Sequence, residues 1–479
     1  MLKELYSLYS PRYPSTLVYM LQSTEYRTKD YFSWLLRTKD FSKVTNRRSL
    51  EQTKAAKGLL LGIYGGILLQ ILVGVYLICL GSKHSLAGGI PFGIALMLSY
   101  PLVWPFLLIV PLELGRAFVV EPAKEKAITK SKKQFAGHKA IKIAVAGSYG
   151  KTTMKELLNT VLSQGLKVAA TPANKNVSSS HAKFASKLYG DEDVLIIEYG
   201  EGEPGDIEKF VNITKPTHGI ITGLSPAHLD QYKTLEAAGK DIFTLGEYLK
   251  GKNVYVNGDS HETSPFIKKD YEVFNHDKAL GWEISGIKAD YEGTGFVMKK
   301  GEQSLKLRSQ LIGKHQVGFL AFVAAFALSL GLSEEQVIEG IARTKPFEHR
   351  MQPYKLAGAW IIDDTYNGNL EGIRAGTWLL KDLDAKRKLY VTPGLVDQGE
   401  ETERVHIEIG KLIARSKPDV VVLMKNSVTG FIEKGIHEEK FSGQLLIQDN
   451  PLDFYSNLSH FVATGDLVVM QNDWTDNYS

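Results

Sequence analysis

The sequence predicts an α/β protein with two consecutive α/β domains, preceded by a helical hairpin long enough to cross a bilayer. Three observations predict it. Residues 58–80 and 86–112 are uncharged apolar runs. A β-type run at Ile141–Ala146 leads through a glycine-rich turn into a helical pattern from Met154 to Leu162. Downstream of that turn, short apolar strands alternate with amphipathic helical segments, the pattern of a mostly parallel sheet.

Composition sets the outer limits. With 479 residues, 44% of them hydrophobic and 23% charged, the chain has material for more than one core and is not globally disordered. Lys and Arg outnumber Asp and Glu by 57 to 53, an excess too small to argue for a nucleic-acid partner. The single cysteine, Cys79, excludes an intramolecular disulfide and a cysteine-rich zinc site.

The mean hydropathy of −0.12 conceals the two apolar runs. They hold 23 and 27 residues, each enough to cross about 30 Å of hydrocarbon at 1.5 Å per residue. The turn at 81–85 is short, so both chain ends fall on one side. Arg47, Arg48, Lys54 and Lys57 precede the first run, and Lys124, Lys126, Lys130, Lys132 and Lys133 follow the second. Against Lys83 and His84 in the turn, this bias places the termini and the domains that follow in the cytoplasm. Residues 1–57 form a basic, aromatic segment suited to anionic lipid headgroups, 58–112 the spanning pair and 113–139 a basic linker. A central α/β domain is expected at 140–344 and a second α/β domain at 345–479.

The turn reads Gly147-Ser148-Tyr149-Gly150-Lys151-Thr152-Thr153. Its glycines let backbone amides curl around phosphate oxygens, Lys151 can reach the outer phosphates, and the Thr152 hydroxyl can face Mg²⁺. Asp193–Ile197, Gly219–Thr222 and Val254–Val256 are the next strand candidates, with helices over Ser180–Leu188 and Leu235–Leu249. Glu198 follows its strand directly, at the end where parallel sheets bind ligands, and a carboxylate there suits the phosphate-bound magnesium. Asn174 and Asn176 lie in a polar loop that can meet substrate. Spacing alone leaves His228 and Lys240 ordinary. In the last third, Ala359–Asp364, Lys388–Thr392, Val420–Met424 and Leu467–Gln471 are strand candidates, and Pro346–Arg350 reads as a hinge.

Taken together, these motifs resemble the Mur ligase family, the ATP-dependent enzymes that add amino acids to peptidoglycan precursors. The resemblance runs from the short phosphate loop through Thr171–Asn176, Glu198–Ile207, Ala227–Asp230, Glu236–Phe243, Gly313–Gln316 and Arg350 to Asp363–Asn369. The last block is most similar to the branch joining D-alanyl-D-alanine to UDP-N-acetylmuramoyl-tripeptide. Membrane anchoring and Thr392-Pro393-Gly394 also resemble the poly-γ-glutamate synthase ligase subunit. The resemblance implies that Gly147, Gly150, Lys151, Thr152 and Thr153 hold ATP and that Thr152 and Glu198 hold Mg²⁺. It further implies that His228 and a carbamylated Lys240 serve a second Mg²⁺, with Lys151, Glu198, His228 and Lys240 as the catalytic set. Arg350, Asp364 and Asn367 would approach the nucleotide from the C-terminal domain, and Asn174, Asn176 and His406 the substrate.

The implied reaction is ATP-dependent amide formation through an acyl phosphate, releasing ADP and phosphate. Its partners are a nucleotide-linked, lipid-linked or polymeric carboxylate and an amino acid or dipeptide amine, with membrane lipids and a membrane synthase subunit as further candidates. Departures from the family pattern are Val177–Ser180, Gln316 and Phe319 where asparagines are usual, an altered Gly394–Gly399 stretch, and a membrane segment where a UDP-sugar domain is usual. A polymer-forming ligase and a non-catalytic, membrane-tethered ATP-binding scaffold are the alternative readings.

Overall fold

The computed structural model describes residues 6–24, 26–38, 41, 50–84, 88–172, 175–225, 229–366, 368–396 and 398–472. The chain separates into two compact units, Met1–Lys126 and Ala127–Ser479. In the first, α1 (Tyr13–Ser23) and α2 (Thr28–Arg37) precede the long apolar α3 (Lys54–His84) and α4 (Gly89–Leu98). Glycines let α3 and α4 approach backbone to backbone: a Cβ on Gly74 would lie 2.9 Å from the Gly93 carbonyl oxygen, and one on Gly89 would lie 2.7 Å from Gly81 Cα. Gln70, the polar residue within this apolar contact, is satisfied. Its amide donates to Leu96 O at 2.7 Å and accepts from Trp104 Nε1 at 2.8 Å.

The run 86–112 does not form the single spanning helix expected of it. It is divided into α4, α5 (Tyr100–Leu107) and α6 (Ile109–Gly115), followed by a π-helical turn at Arg116–Val120 and by α7 (Glu121–Gly137). The residues expected as a basic linker are therefore largely helical. Proline explains part of the division. Pro105 has no amide to offer the carbonyl four residues earlier, and Tyr13 Oη donates to that carbonyl, Pro101 O, at 2.9 Å. Tyr13, Leu17, Leu21 and Tyr31 are buried against Ile63, Leu108 and Ile109, so the aromatic N-terminal segment packs on the apolar helices. Among the described residues, Lys54–Lys83 and Tyr100–Gly137 are long and apolar enough to cross a membrane by length and composition. Leu61, Leu68, Leu69, Leu72, Tyr76, Phe92, Leu102 and Phe106 stand exposed on this unit.

The second unit contains three sheets. The first is parallel and six-stranded, in the order β2 (Val168–Ala170), β3 (Val194–Glu198), β1 (Ile141–Ala146), β4 (His218–Ile221), β5 (Val254–Asn257) and β6 (Glu272–Phe274). Its central strands are apolar on both faces. Ile143 and Val145 join α8 (Lys151–Leu162) and the wholly apolar α9 (Val317–Ser329), while Ala144 and Ala146 face Phe184, Phe210 and Ile242. This explains why β1 and β3 read as continuous apolar runs.

An antiparallel sheet of β7 (Lys278–Ala279), β8 (Trp282–Asp290), β9 (Gly293–Lys300) and β10 (Gln303–Ser309) was not anticipated. It is buried on one face only, and the alternation at Leu305 and Leu307 in β10 is its visible signature. The C-terminal sheet runs β11 (Gln352–Leu356), β12 (Ala359–Asp364), β16 (Asp466–Gln471), β13 (Arg387–Thr392), β14 (Val420–Met424) and β15 (Gln444–Gln448), with only β11 antiparallel. All four strands expected in this region are present.

Two C-terminal helices, α10 (Thr402–Arg415) and α11 (Thr429–Glu438), cross without intervening side chains. A Cβ on Gly410 would lie 2.1 Å from Ile432 O, whereas one on Gly430 meets nothing within 4 Å. Gly410→Ala is expected to cost about 1–3 kcal/mol through overpacking. Gly430→Ala should be neutral or stabilising by up to about 1 kcal/mol. Denaturant titration of the two variants checks the contrast, and equal effects would contradict this packing.

Candidate nucleotide-binding site

The site grows from the end of β1. Its neighbours β3 and β4 leave on opposite sides, so the β1 loop emerges in a crevice at the carboxyl ends of the strands. Glycine is required at both ends of the loop. Gly147 has φ +141° and a Cβ there would lie 2.4 Å from Thr222 Oγ1; Gly150 has φ +73° and a Cβ would strike the Phe319 ring at 2.7 Å. Gly150 caps α8 without a side-chain hydrogen bond, leaving first-turn amides available to an anion.

Five side chains are brought together where α8 faces the end of β3. Thr152 Oγ1 donates to Glu198 Oε1 at 3.0 Å, and Lys155 Nζ lies 3.2 Å from Glu198 Oε2. One turn earlier, Lys151 Nζ donates to Gly147 O at 2.6 Å and pairs with Glu201 Oε2 at 2.6 Å. Positions 151 and 155 lie on one face of a helix, which is why two lysines meet two carboxylates. Glu198 is 2% exposed, Glu201 7% and Lys155 0%. The Glu198 backbone is held as firmly: His181 Nε2 bonds its carbonyl at 2.9 Å, and its amide donates to Thr171 Oγ1 at 3.0 Å. Burial pushes the His181 imidazole down to about 4, keeping the ring neutral near pH 7.

A cavity of about 950 Å³ opens beside the loop. Tyr149, Gly150 and Thr153 line it from the loop, Gln316 and Phe319 from the start of α9, and Arg350, Asp364 and Tyr366 from the C-terminal domain. The residues at the two departures, Gln316 and Phe319, therefore face this space. Arg350 lies over the Tyr366 ring at 4.7 Å. Asp364 accepts from Gln471 Nε2 at 2.7 Å and from Met351 N at 3.1 Å. Burial nevertheless raises its carboxyl to about 7, with Gln471, Met351 and Arg350 opposing the rise.

Other expected residues fall elsewhere. Lys240 lies on the solvent face of its helix, its side chain 69% exposed and paired with Glu236 at 2.6 Å. The helix turns Gly239 and Asp241 inward instead, with Asp241 accepting from Gly205 N at 2.9 Å and Tyr232 Oη at 2.8 Å. Lys240 thus does not join Thr152 and Glu198. His406 is also corrected: it is wholly buried, its Nδ1 meets Thr402 O at 2.6 Å, and its Nε2 accepts from Leu395 N at 3.0 Å. With both ring nitrogens committed to backbone, it shapes the 394–396 turn and has no face for substrate. Asn176 packs beside Gly200, whose amide donates to Asn176 O at 2.9 Å, next to the Glu198 strand end. Asn174, His228 and Asn367 lie outside the described residues.

Lys155, Glu201 and Gln471 are not singled out by the sequence, whereas Thr171 falls in the polar loop expected to meet substrate. Only Lys155 had a legible signal, its position one helical turn beyond Lys151. Among the described residues, no group of three or more His, Cys, Asp or Glu side chains forms a metal cage. The donors do fit a phosphate-bound Mg²⁺, which takes one or two carboxylates and completes its shell with phosphate and water. Thr152 and Glu198 are adjacent, with the Thr152 hydroxyl 3.0 Å from Glu198 Oε1, so both can face one small cation at the loop.

The raised Asp364 carboxyl has a signed consequence. Its folded value near 7 exceeds the ordinary 3.8, so the folded state binds the extra proton and loses stability as pH climbs between these values. Asp364→Asn should therefore gain thermal stability relative to the parent from pH 5 to pH 8. Parallel pH-dependent melts check this, and a constant difference would contradict it.

Residues 145–327 match the Mur ligase middle domain. The chain is 25% identical over 276 residues to the UDP-N-acetylmuramoyl-tripeptide–D-alanyl-D-alanine ligase of Escherichia coli K12, covering 56% of this chain and 61% of that protein. The chain therefore spans about three fifths of that relative's length. To the ligase of the same name from Mycobacterium tuberculosis CDC 1551 it is 26% identical over 396 residues, covering 79% and 77%. The MurF ligase from Thermotoga maritima in complex with ADP shares the fold, with a TM-score of 0.65 and 20% identity over 74% of this chain and 82% of that one. The domain match spans the glycine-rich loop and the strand-end Glu198, and over these residues the chain is similar to the Mur ligase family.

Proposed function

We propose that this protein is an ATP-dependent carboxylate–amine ligase of cell-wall peptide synthesis, of the type that adds D-alanyl-D-alanine to a muramoyl peptide. The observation that carries the reading is the convergence of Lys151, Thr152 and Glu198 at a helix N-terminus beside a cavity shared with Arg350 and Asp364. A scaffold that only bound nucleotide would not need the buried acid–base array on β3.

The chemistry follows from charge. A carboxylate resists attack by an amine, so its oxygen first takes the terminal phosphoryl group of ATP, giving an acyl phosphate and ADP. The amine then attacks the acyl carbon, loses a proton, and phosphate leaves. In this reading the α8 amides and Lys151 hold phosphate oxygens. Lys151 must exchange Glu201 for the nucleotide, a step its 13% exposed side chain permits. Thr152 and Glu198 would hold the Mg²⁺ that offsets phosphate charge. Arg350 and Asp364 would orient the nucleotide from the C-terminal side, limiting water at the reactive acyl phosphate. Asn176, with Asn174 and Asn367, is assigned to substrate and nucleotide loops. His228 is retained as a second-metal candidate; a carbamylated Lys240 would have to turn inward from its present exposed position.

The exposed apolar residues on the first unit favour membrane anchoring, with both termini and the α/β domains cytoplasmic. They also favour a second reading in which the carboxylate acceptor is lipid-linked or polymeric, including repeated glutamate addition. Membrane flotation of the expressed chain should carry it with lipid, even after alkaline carbonate washing. Recovery in the soluble fraction would contradict the anchor.

A mass-resolved assay offering UDP-muramoyl-tripeptide or a glutamate polymer, with D-alanyl-D-alanine or glutamate as amine, separates the acceptors. The expected outcome is one amide per ADP released, with Lys151→Met lowering turnover by about 10²-fold or more. ATP turnover without amide would refute the ligase reading.

A further inference from the structure

Lys155 is a buried charge at the site that the proposed reaction does not use. It lies one turn beyond Lys151 on α8, is 0% exposed, and approaches Glu198 Oε2 and Glu156 Oε1 at 3.2 Å each. Neither contact has hydrogen-bond geometry, leaving both Lys155 Nζ and Glu198 Oε2 without a hydrogen-bond partner. An ammonium is not placed in a protein interior without a counter-charge. Here the counter-charges are the buried strand-end carboxylate and the partly exposed Glu156.

The two oxygens of Glu198 are therefore unequal. Oε1 is beside the Thr152 hydroxyl at the phosphate loop, and Oε2 is beside Lys155 at the next turn of the helix. A cation seeking both oxygens would meet the Lys155 ammonium. Mg²⁺ is small, keeps several waters and accepts one oxygen from a carboxylate, whereas Ca²⁺ readily takes both oxygens at longer distance.

We propose that Lys155 is a positioning residue that sets divalent-ion selectivity: by occupying Oε2 it restricts Glu198 to one-oxygen coordination, favouring Mg²⁺ over Ca²⁺. The proposal rests on the reading of Glu198 as a metal-facing carboxylate. It does not depend on which acceptor or amine is ligated.

The test uses the full chain in detergent with ADP and Mn²⁺, whose bound and free forms are distinguished by electron paramagnetic resonance. Mg²⁺ and Ca²⁺ are each titrated to displace Mn²⁺. Lys155→Met should shift the ratio of half-displacement concentrations about tenfold toward Ca²⁺, the usual scale for losing a ligand's supporting partner. Lys155→Arg, which keeps a charged donor, should restore the parental ratio. An unchanged ratio in a Lys155→Met protein of parental melting temperature overturns the proposal.

A second measurement needs no Lys155 variant. In the parent protein, infrared difference spectra with Ca²⁺ should show the wide carboxylate splitting of one-oxygen coordination, absent in Glu198→Gln. A narrow, two-oxygen splitting overturns the proposal. If Glu198→Gln leaves Mn²⁺ affinity unchanged, the metal-facing reading of Glu198 falls and this inference with it. If that variant loses Mn²⁺ while Lys155→Met leaves the ratio unchanged, only the role of Lys155 falls.

Discussion

The grip of α8 on Glu198 is the constraint around which the central domain is organised. Thr152 and Lys155 hold the two carboxylate oxygens from successive turns, while His181 and Thr171 hold the backbone of the same residue. The two contacts from α8 depend on β1 and β3 being adjacent and in register, with Val145 opposite Glu198. Burying two carboxylates and two ammonium groups costs several kcal/mol per ion before pairing. The apolar faces of β1 and β3 must offset that cost, and they are buried on both sides to do so.

Much of this was legible in the chain. The phosphate loop, β1, β3, β4 and β5 could be read because both-sided burial makes strands continuously apolar and because glycine, lysine and threonine have few other reasons to occur at that spacing. Glu198 was legible as the polar residue ending such a strand. Lys240 stands on the solvent side for a geometric reason: one residue along a helix rotates a side chain by about 100°. At Gly239 the interior has room for hydrogen only, because a Cβ would lie 2.3 Å from the Phe266 ring. The position that turns inward is thus occupied by glycine, and the lysine falls on the solvent side.

His406 illustrates the same limit on chemistry. The family resemblance implies substrate contact for it, yet its two nitrogens satisfy backbone groups that burial would otherwise strand. The antiparallel sheet β7–β10 escaped notice because its strands are only half buried and interrupted by charged residues, so no long apolar run marks them. The second apolar segment erred in the opposite direction. Its composition suggested one uninterrupted helix, whereas Ser99 and Leu108 separate shorter pieces around its prolines.

The bond from Tyr13 to the Pro101 carbonyl links residues 88 positions apart. During synthesis, the first helix emerges long before the carbonyl it will satisfy. That single bond closes a loop over most of the first unit, a non-local contact whose chain-entropy cost the buried aromatic face must offset.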